Sequence, residues 1–248
     1  MNLRHRLEAT MRSDLFHSAN MEPTGSWEVF HSKMLRVVVT ADEPLFATKG
    51  SMVAYQGDRL DFTHHSGTSG MSGMLKKMVS SDNAPLMAVR GNAEVFLADA
   101  AQNIGIVFLE GDSICVNGKS LLAFEHTLNY DIVMNSGTGM VSGGLWSTQL
   151  TGHGRVAIVT DGTPVILSTD TPTYTDTDAT VAWSGHLTPS MVSSMNIKSA
   201  LRGGSGEAMQ YLFQAPGWVA VQPSETVKTT TQASTSQNQG FNIGSIFG

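Results

Sequence analysis

The chain has 248 residues, 15% of them charged, with 25 glycines and a formal charge of −6. That length allows a sizeable core, the glycine-rich and charge-poor composition marks a turn-rich β protein, and the acidic balance opposes a phosphate-tracking surface. Nucleic acid is therefore not expected as a partner, and the single cysteine, Cys115, excludes both an intrachain disulfide and a thiolate metal cluster.

The first twenty residues space Leu3, Leu7, Met11 and Leu15 four apart beside Arg4, Arg6 and Arg12, an amphipathic-helix pattern. Glu8 and Asp14 oppose a transit peptide, and no continuous apolar stretch supplies a secretory signal. No run reaches the ~18 apolar residues of a membrane-spanning helix, so no transmembrane segment is expected. The reading is a soluble, cytoplasmic protein with an extension at residues 1–10 and one β domain at 11–225. From Trp27 onward short β-branched and aliphatic runs predict strands at 35–39, 86–89, 95–97, 104–109, 156–159, 165–167 and 218–221. Ile114 and Val116 make Cys115 a buried strand thiol. Turns are predicted at Asp42-Glu43-Pro44, Lys49-Gly50, Glu110-Gly111-Asp112, Asn117-Gly118, Asp161-Gly162 and Ala215-Pro216-Gly217. Asn-Gly and Asp-Gly favour the positive φ of tight hairpins, so the fold is read as all-β, an antiparallel sandwich or barrel of many short strands.

One phrase occurs three times: Ser51-Met-Val-Ala-Tyr55, Ser120-Leu-Leu-Ala-Phe124 and Ala179-Thr-Val-Ala-Trp183, followed by Leu60, Leu128 and Leu187. Recurrence of this kind signals one supersecondary unit reused, hence an internal pseudo-threefold repeat. The three phrases are expected on equivalent strands whose residues alternate between core and exterior. Glycine-rich segments at 66–73, 136–144 and 203–206 are read as connections between repeats, with a fourth, incomplete copy running from Glu207 to Glu225. Residues 149–158 also align with 211–221, which places Gly154 and Gly217 at one structural position, a bulge or a φ that other residues avoid.

The segment from Gly203 to Glu225, together with Lys49-Gly-Ser-Met-Val-Ala-Tyr-Gln-Gly57 and Gly91-Asn-Ala-Glu-Val-Phe-Leu-Ala98, resembles the mitochondrial biogenesis family of altered inheritance of mitochondria protein 24. The last two segments look like its bacterial branch, and the resemblance spans the domain from residue 11 to 225. It implies a fold similar to the trp RNA-binding attenuation protein, a β-sandwich of many short strands often seen as a self-associating unit, and no established enzymatic activity. Ala215-Pro216 stands where the family more often has a glycine pair.

Chemical motifs are sparse. Asn117-Gly-Lys-Ser120 ends like a phosphate-binding loop, but Ser113 occupies the required first glycine and the segment reads as a hairpin rather than a helix start. Histidines follow each phrase, so His64, His126 and His186, beside Asp61 and Glu125, are candidate metal ligands if three such groups converge. No Ser-His-Asp arrangement is evident, and His153, between two glycines, is read as a turn residue. Asp170, Asp176 and Asp178 lack the glycine and terminal glutamate of a calcium loop and are read as a solvated hairpin. Residues 226–248 form a low-complexity tail too polar to fold alone, ending in Phe241, Ile243, Ile246 and Phe247, a segment suited to docking on a sheet edge. The functional reading is a non-enzymatic β-sandwich, without cofactor, that self-associates or binds a protein. The alternative is a small-ligand or metal-binding module built on the histidines and carboxylates at the strand exits.

Overall fold

A computed structural model describes residues 25–64, 86–134, 146–192 and 209–224. The N-terminal helix pattern, the glycine-rich segments at 66–73, 136–144 and 203–206, and the tail with Phe241, Ile243, Ile246 and Phe247 lie outside the described residues.

Seventeen strands and no helix fill the described residues. After β1 (Trp27–Phe30), the first repeat comprises β2 (Met34–Val39), β3 (Leu45–Thr48), β4 (Met52–Gly57), β5 (Asp61–His64), β6 (Leu86–Arg90) and β7 (Ala93–Leu97). The second comprises β8 (Asn103–Asn117), β9 (Leu121–Glu125), β10 (Asn129–Met134) and β11 (Trp146–Thr160). The third comprises β12 (Val165–Ser168), β13 (Thr173–Asp176), β14 (Thr180–Ser184), β15 (Ser190–Val192), β16 (Gln210–Phe213) and β17 (Trp218–Val221).

All three repeats follow one plan, because the two long strands of the second repeat each do the work of two. The first, sixth and third strands pair as β2–β7–β4 and β12–β17–β14, and the matching parts of β8, β11 and β9 pair likewise. The second, fifth and fourth pair as β3–β6–β5 and β13–β16–β15, again matched by β8, β11 and β10. Every pairing is antiparallel, yet β8 and β9, joined through Gly118, and β11 and β12, joined through Gly162, do not pair with each other, so these two predicted hairpin turns instead carry the chain between strands with different partners. The third repeat therefore closes with β16 and β17, and residues 209–224 complete it rather than opening a fourth copy. By chain position, the glycine-rich segments fall inside the repeats, between their fourth and fifth strands.

Each phrase occupies the third strand of its repeat, and each carries the same β-bulge. In β4 the register slips between Met52 and Ala54, in β9 between Leu121 and Ala123, and in β14 between Thr180 and Ala182, leaving Val53, Leu122 and Val181 as the extra residue. A backbone bond anchors each phrase at its first carbonyl: Ala98 N–H donates to Ser51 O (2.9 Å), Val159 N–H to Ser120 O (2.8 Å) and Gln222 N–H to Ala179 O (2.9 Å). Leu60, Leu128 and Leu187 are all buried behind the phrases.

The expected alternation along the phrase fails in all three repeats: Val53 to Gly57 are exposed throughout, whereas Leu121 to Phe124 and Thr180 to Ser184 in the second and third are buried throughout. The bulge interrupts the two-residue period, and both strands lie between two neighbours inside a sheet covered on both faces. Glu110-Gly111-Asp112 is likewise no hairpin turn. It lies within β8, where Gly111 (φ 100°) opposite Gly152 (φ 123°) makes an irregularity between Thr151 and His153. The strand thus passes from one three-stranded unit to the other without breaking, the use of bulges where strands switch sheets.

The repeats are joined in a row by one kind of junction. The second strand of the first repeat pairs with the phrase of the second, matching Leu45 to Glu125, Phe46 to Phe124 and Ala47 to Ala123. The same step joins the second repeat to the third, matching Ile114 to Ser184, Cys115 to Trp183 and Val116 to Ala182. Each junction is locked by the side chain that ends the earlier strand. Thr48 Oγ1 donates to Leu121 O at 2.5 Å, and Asn117 Nδ2 donates to Thr180 O at 2.9 Å. One core cluster draws residues from all three repeats and includes the stacked rings of Phe46 and Phe124, 5.2 Å apart. A second fills the space between the first two repeats, and a third gathers Trp183, Tyr211 and Phe213 around Cys115 and Leu187.

Candidate interaction surface

The structure disperses the groups that the sequence suggested for chemistry. His64 ends β5, His126 follows β9 and His186 follows β14. His186 Nε2 lies 2.9 Å from Pro216 O. Among the described residues no three His, Cys, Asp or Glu side chains converge where a metal could sit. His153 lies in β11 rather than in a turn, at the residue after Gly152, because the chain bends there without reversing.

The carboxylates of the third repeat hold turns. Asp176 Oδ1 accepts bonds from Asp178 N–H (2.6 Å) and Ala179 N–H (3.3 Å), Asp170 accepts one from Ser168 Oγ (2.6 Å), and Asp178 pairs with Lys119. Lys119 belongs to the turn between β8 and β9, so the resemblance to a phosphate loop ends at its sequence. Cys115 is buried, and desolvation pushes its thiol up to about 11, which leaves little thiolate at neutral pH. A shallow cleft of about 340 Å³ between β8, β11 and the turn before β12 is lined by Ser32, Asn103, Thr160 and Thr163 with apolar neighbours and no charged side chain.

Gly154, which faces Leu109, and Gly217, whose carbonyl accepts Thr169 N–H, share a register position three residues before Ala157 and Ala220 at the bulges, yet neither has a left-handed φ. Their common constraint is space. A Cβ on Gly154 would stand 2.6 Å from Thr127 Oγ1 and 3.1 Å from Leu128 Cγ; one on Gly217 would stand 2.9 Å from Leu187 Cδ1. In the first repeat Ala93 takes that position, and it is at Gly91, in the turn before β7, that a Cβ would stand 2.8 Å from Leu60 Cδ2. The glycines thus let the phrase leucine pack against the backbone of the sixth strand.

What remains distinctive is at the two ends of the row. Among the described residues β4 is an edge of the four-stranded sheet β1-β2-β7-β4, and β13 is an edge of the three-stranded sheet β13-β16-β15. On β4, Val53 is 58% and Tyr55 39% exposed, whereas their counterparts Leu122, Phe124, Val181 and Trp183 are at most 1% exposed. On β13, Tyr174 is 56% exposed, against 7% for its counterpart Phe46. The ring of Tyr55 rests 6.1 Å from that of Phe62 in β5, so the apolar edge of the first repeat is continuous. Val165, Ile166 and Leu167 of β12 add a second exposed apolar strand.

The family model for mitochondrial biogenesis AIM24 matches residues 27–224, from β1 to the end of the third repeat. The chain belongs to the AIM24 family. An X-ray crystal structure of a Streptococcus pyogenes protein is similar in fold, with a TM-score of 0.63 at 17% identity, covering 80% of this chain and 92% of that one. No curated protein matches the sequence closely. In this AIM24 chain the matched region holds all three repeats, and no helix among the described residues is long and apolar enough to cross a membrane. The sequence did not mark the open edges, because the phrase reads alike in all three copies and only the pairing of distant strands decides which copy is covered.

Proposed function

We propose that this AIM24-family chain is a non-enzymatic β-sandwich module whose work is self-association, with protein binding through the same open edges. The observation that carries this reading is the exposure of aromatic and aliphatic side chains on strands that are sheet edges among the described residues, Val53 and Tyr55 on β4 and Tyr174 on β13. Long exposed apolar edges are usually blunted by charge, proline or cover, since their free N–H and C=O groups template further pairing. Neither β4 nor β13 carries a lysine or a proline, and the only charge on either is Asp176. A cytoplasmic site of action belongs to the same proposal. Sedimentation equilibrium of the full chain over a range of concentrations tests it. A mass that rises with concentration supports self-association, and a constant monomer mass overturns it.

A further inference from the structure

The two junctions inside the chain form a template for a third that the chain cannot complete alone. Each joins the three-stranded unit of second, fifth and fourth strands to the next repeat's unit of third, sixth and first strands. The third repeat ends in such a donor unit, β15-β16-β13, and the first begins with such an acceptor unit, β4-β7-β2. We infer that a second copy of this chain docks head to tail, its β13 pairing antiparallel with β4 in the register of the internal junctions. This inference rests on the self-association proposed above and names its surface. Counting from the first residue of each phrase, Phe46 and Cys115 oppose the aromatics Phe124 and Trp183. The same count sets Tyr174 opposite Tyr55, Thr175 opposite Ala54 and Thr173 opposite Gln56. Both tyrosines are exposed in the single chain, as half-built members of the pair that Phe46 and Phe124 complete inside it. Val53, the bulged residue, gains the cover that Leu122 and Val181 already have. Because the two surfaces differ, the contact is heterologous and builds a ring or an open row of copies.

One position sets this junction apart from the two inside the chain. Thr48 and Asn117 end their strands and donate a hydrogen bond to the second residue of the next phrase, Leu121 or Thr180. Asp176 stands at the corresponding position and would meet Met52 O, but an ionised carboxylate only accepts. Asn117 shows what an amide achieves there: its Oδ1 accepts Lys119 N–H at 3.2 Å, as Asp176 Oδ1 accepts Asp178 N–H, while its Nδ2 stays free to donate across the junction.

The deciding experiment uses full-length Tyr55→Cys and Tyr174→Cys made as separate proteins, each at an exposed position, with Cys115 buried and slow to react. Directly opposed strand residues lie within disulfide reach. Under mild oxidation a dimer-sized disulfide is expected when the two variants are mixed and not with either alone. A rising mass without the mixed disulfide, or disulfides within the single variants, overturns the β13–β4 pairing and leaves self-association standing. A constant monomer mass removes both. Should a cysteine variant fail to fold, Asp176→Asn decides: association tightened about five- to tenfold, the worth of one net hydrogen bond, supports the pairing, and unchanged or weaker association overturns it.

Discussion

The strands β4 and β14 carry the same phrase, the same bulge and the same anchoring bond to the strand behind, yet β14 is buried at every residue and β4 is exposed along most of its length. The difference lies in neither local sequence nor backbone geometry. β14 has β8 on its outer side and β4 has no strand there among the described residues. Burial in this fold is thus granted by the adjoining repeat, as in other repeat architectures where a unit hides its apolar face only against its neighbour. The aromatic of the phrase shows the consequence: Trp183 packs between Tyr211 and Phe213 with ring centroids 5.7 and 5.8 Å away and donates its indole N–H to Leu187 O at 3.2 Å, whereas Tyr55, among the described residues, has one ring neighbour, Phe62, at 6.1 Å.

That contrast gives the largest expected effect. Trp183→Ala should destabilise the chain by about 3–5 kcal/mol, the range for deleting a fully buried aromatic. Tyr55→Ala, at the equivalent position, should cost about 0.5 kcal/mol or less at concentrations where the chain is monomeric, as for other exposed sites. Urea unfolding of both variants checks the pair. Equal losses would mean that β4 is covered in solution in a single chain and that the ends of the row are not open.

A smaller effect separates the repeats at the glycine position. Gly154 has no room for a Cβ beside Thr127 and Leu128, while Ala93 at the same register position in the first repeat already carries one. Gly154→Val should cost about 1–3 kcal/mol through overpacking, and Ala93→Gly about 1 kcal/mol or less through backbone entropy. An unchanged denaturation midpoint for Gly154→Val would show that Leu128 moves aside freely and that the close approach is incidental.

Much of this plan was legible in the sequence, and its failures have physical causes. The phrase was visible because a turn, a bulge and an apolar cluster each restrict residue type, so three copies diverged little. β5, β13 and β15 were missed because Asp61-Phe-Thr-His64, Thr173-Tyr-Thr-Asp176 and Ser190-Met-Val192 are edge or near-edge strands with mixed polar faces and no apolar run. Glu110-Gly111-Asp112 has turn composition, but the same residues suit a bend in a continuing strand, and only the partner β11 distinguishes the two. His126 and His186 follow the third strands of their repeats while His64 ends a fourth strand, and repeats joined in a row set each of them one repeat apart. Adjacency of that kind is not written in local spacing.

The smallest expected effect tests how the repeats fill the register position after the glycine. There the second repeat has Arg155, whose guanidinium lies 3.4 Å from Glu125, and the third has Trp218, while the first has the opposite charge, Glu94, held by Arg36 at 2.5 Å. Arg36 is buried and also donates to Gly25 O at 3.0 Å, so its charge depends on Glu94 for compensation. The hydrogen bond from Arg36 is the main cause holding the Glu94 carboxyl below its ordinary value, reinforced by the charge of Arg36 and opposed by burial. A carboxylate lowered in the folded state binds fewer protons there than in the unfolded chain. Its stabilisation is therefore complete above the ordinary carboxylate range and is lost as the pH falls through that range to the lowered folded value. Glu94 is 40% exposed, so solvent screens the pair and the effect should be modest and weakened by salt. Urea midpoints of the parent chain and of Glu94→Gln, followed from neutral pH downward, should differ most near neutrality and converge in acid. Curves that stay parallel through the carboxylate range would show that the Arg36–Glu94 pair contributes nothing to the stability of the first repeat.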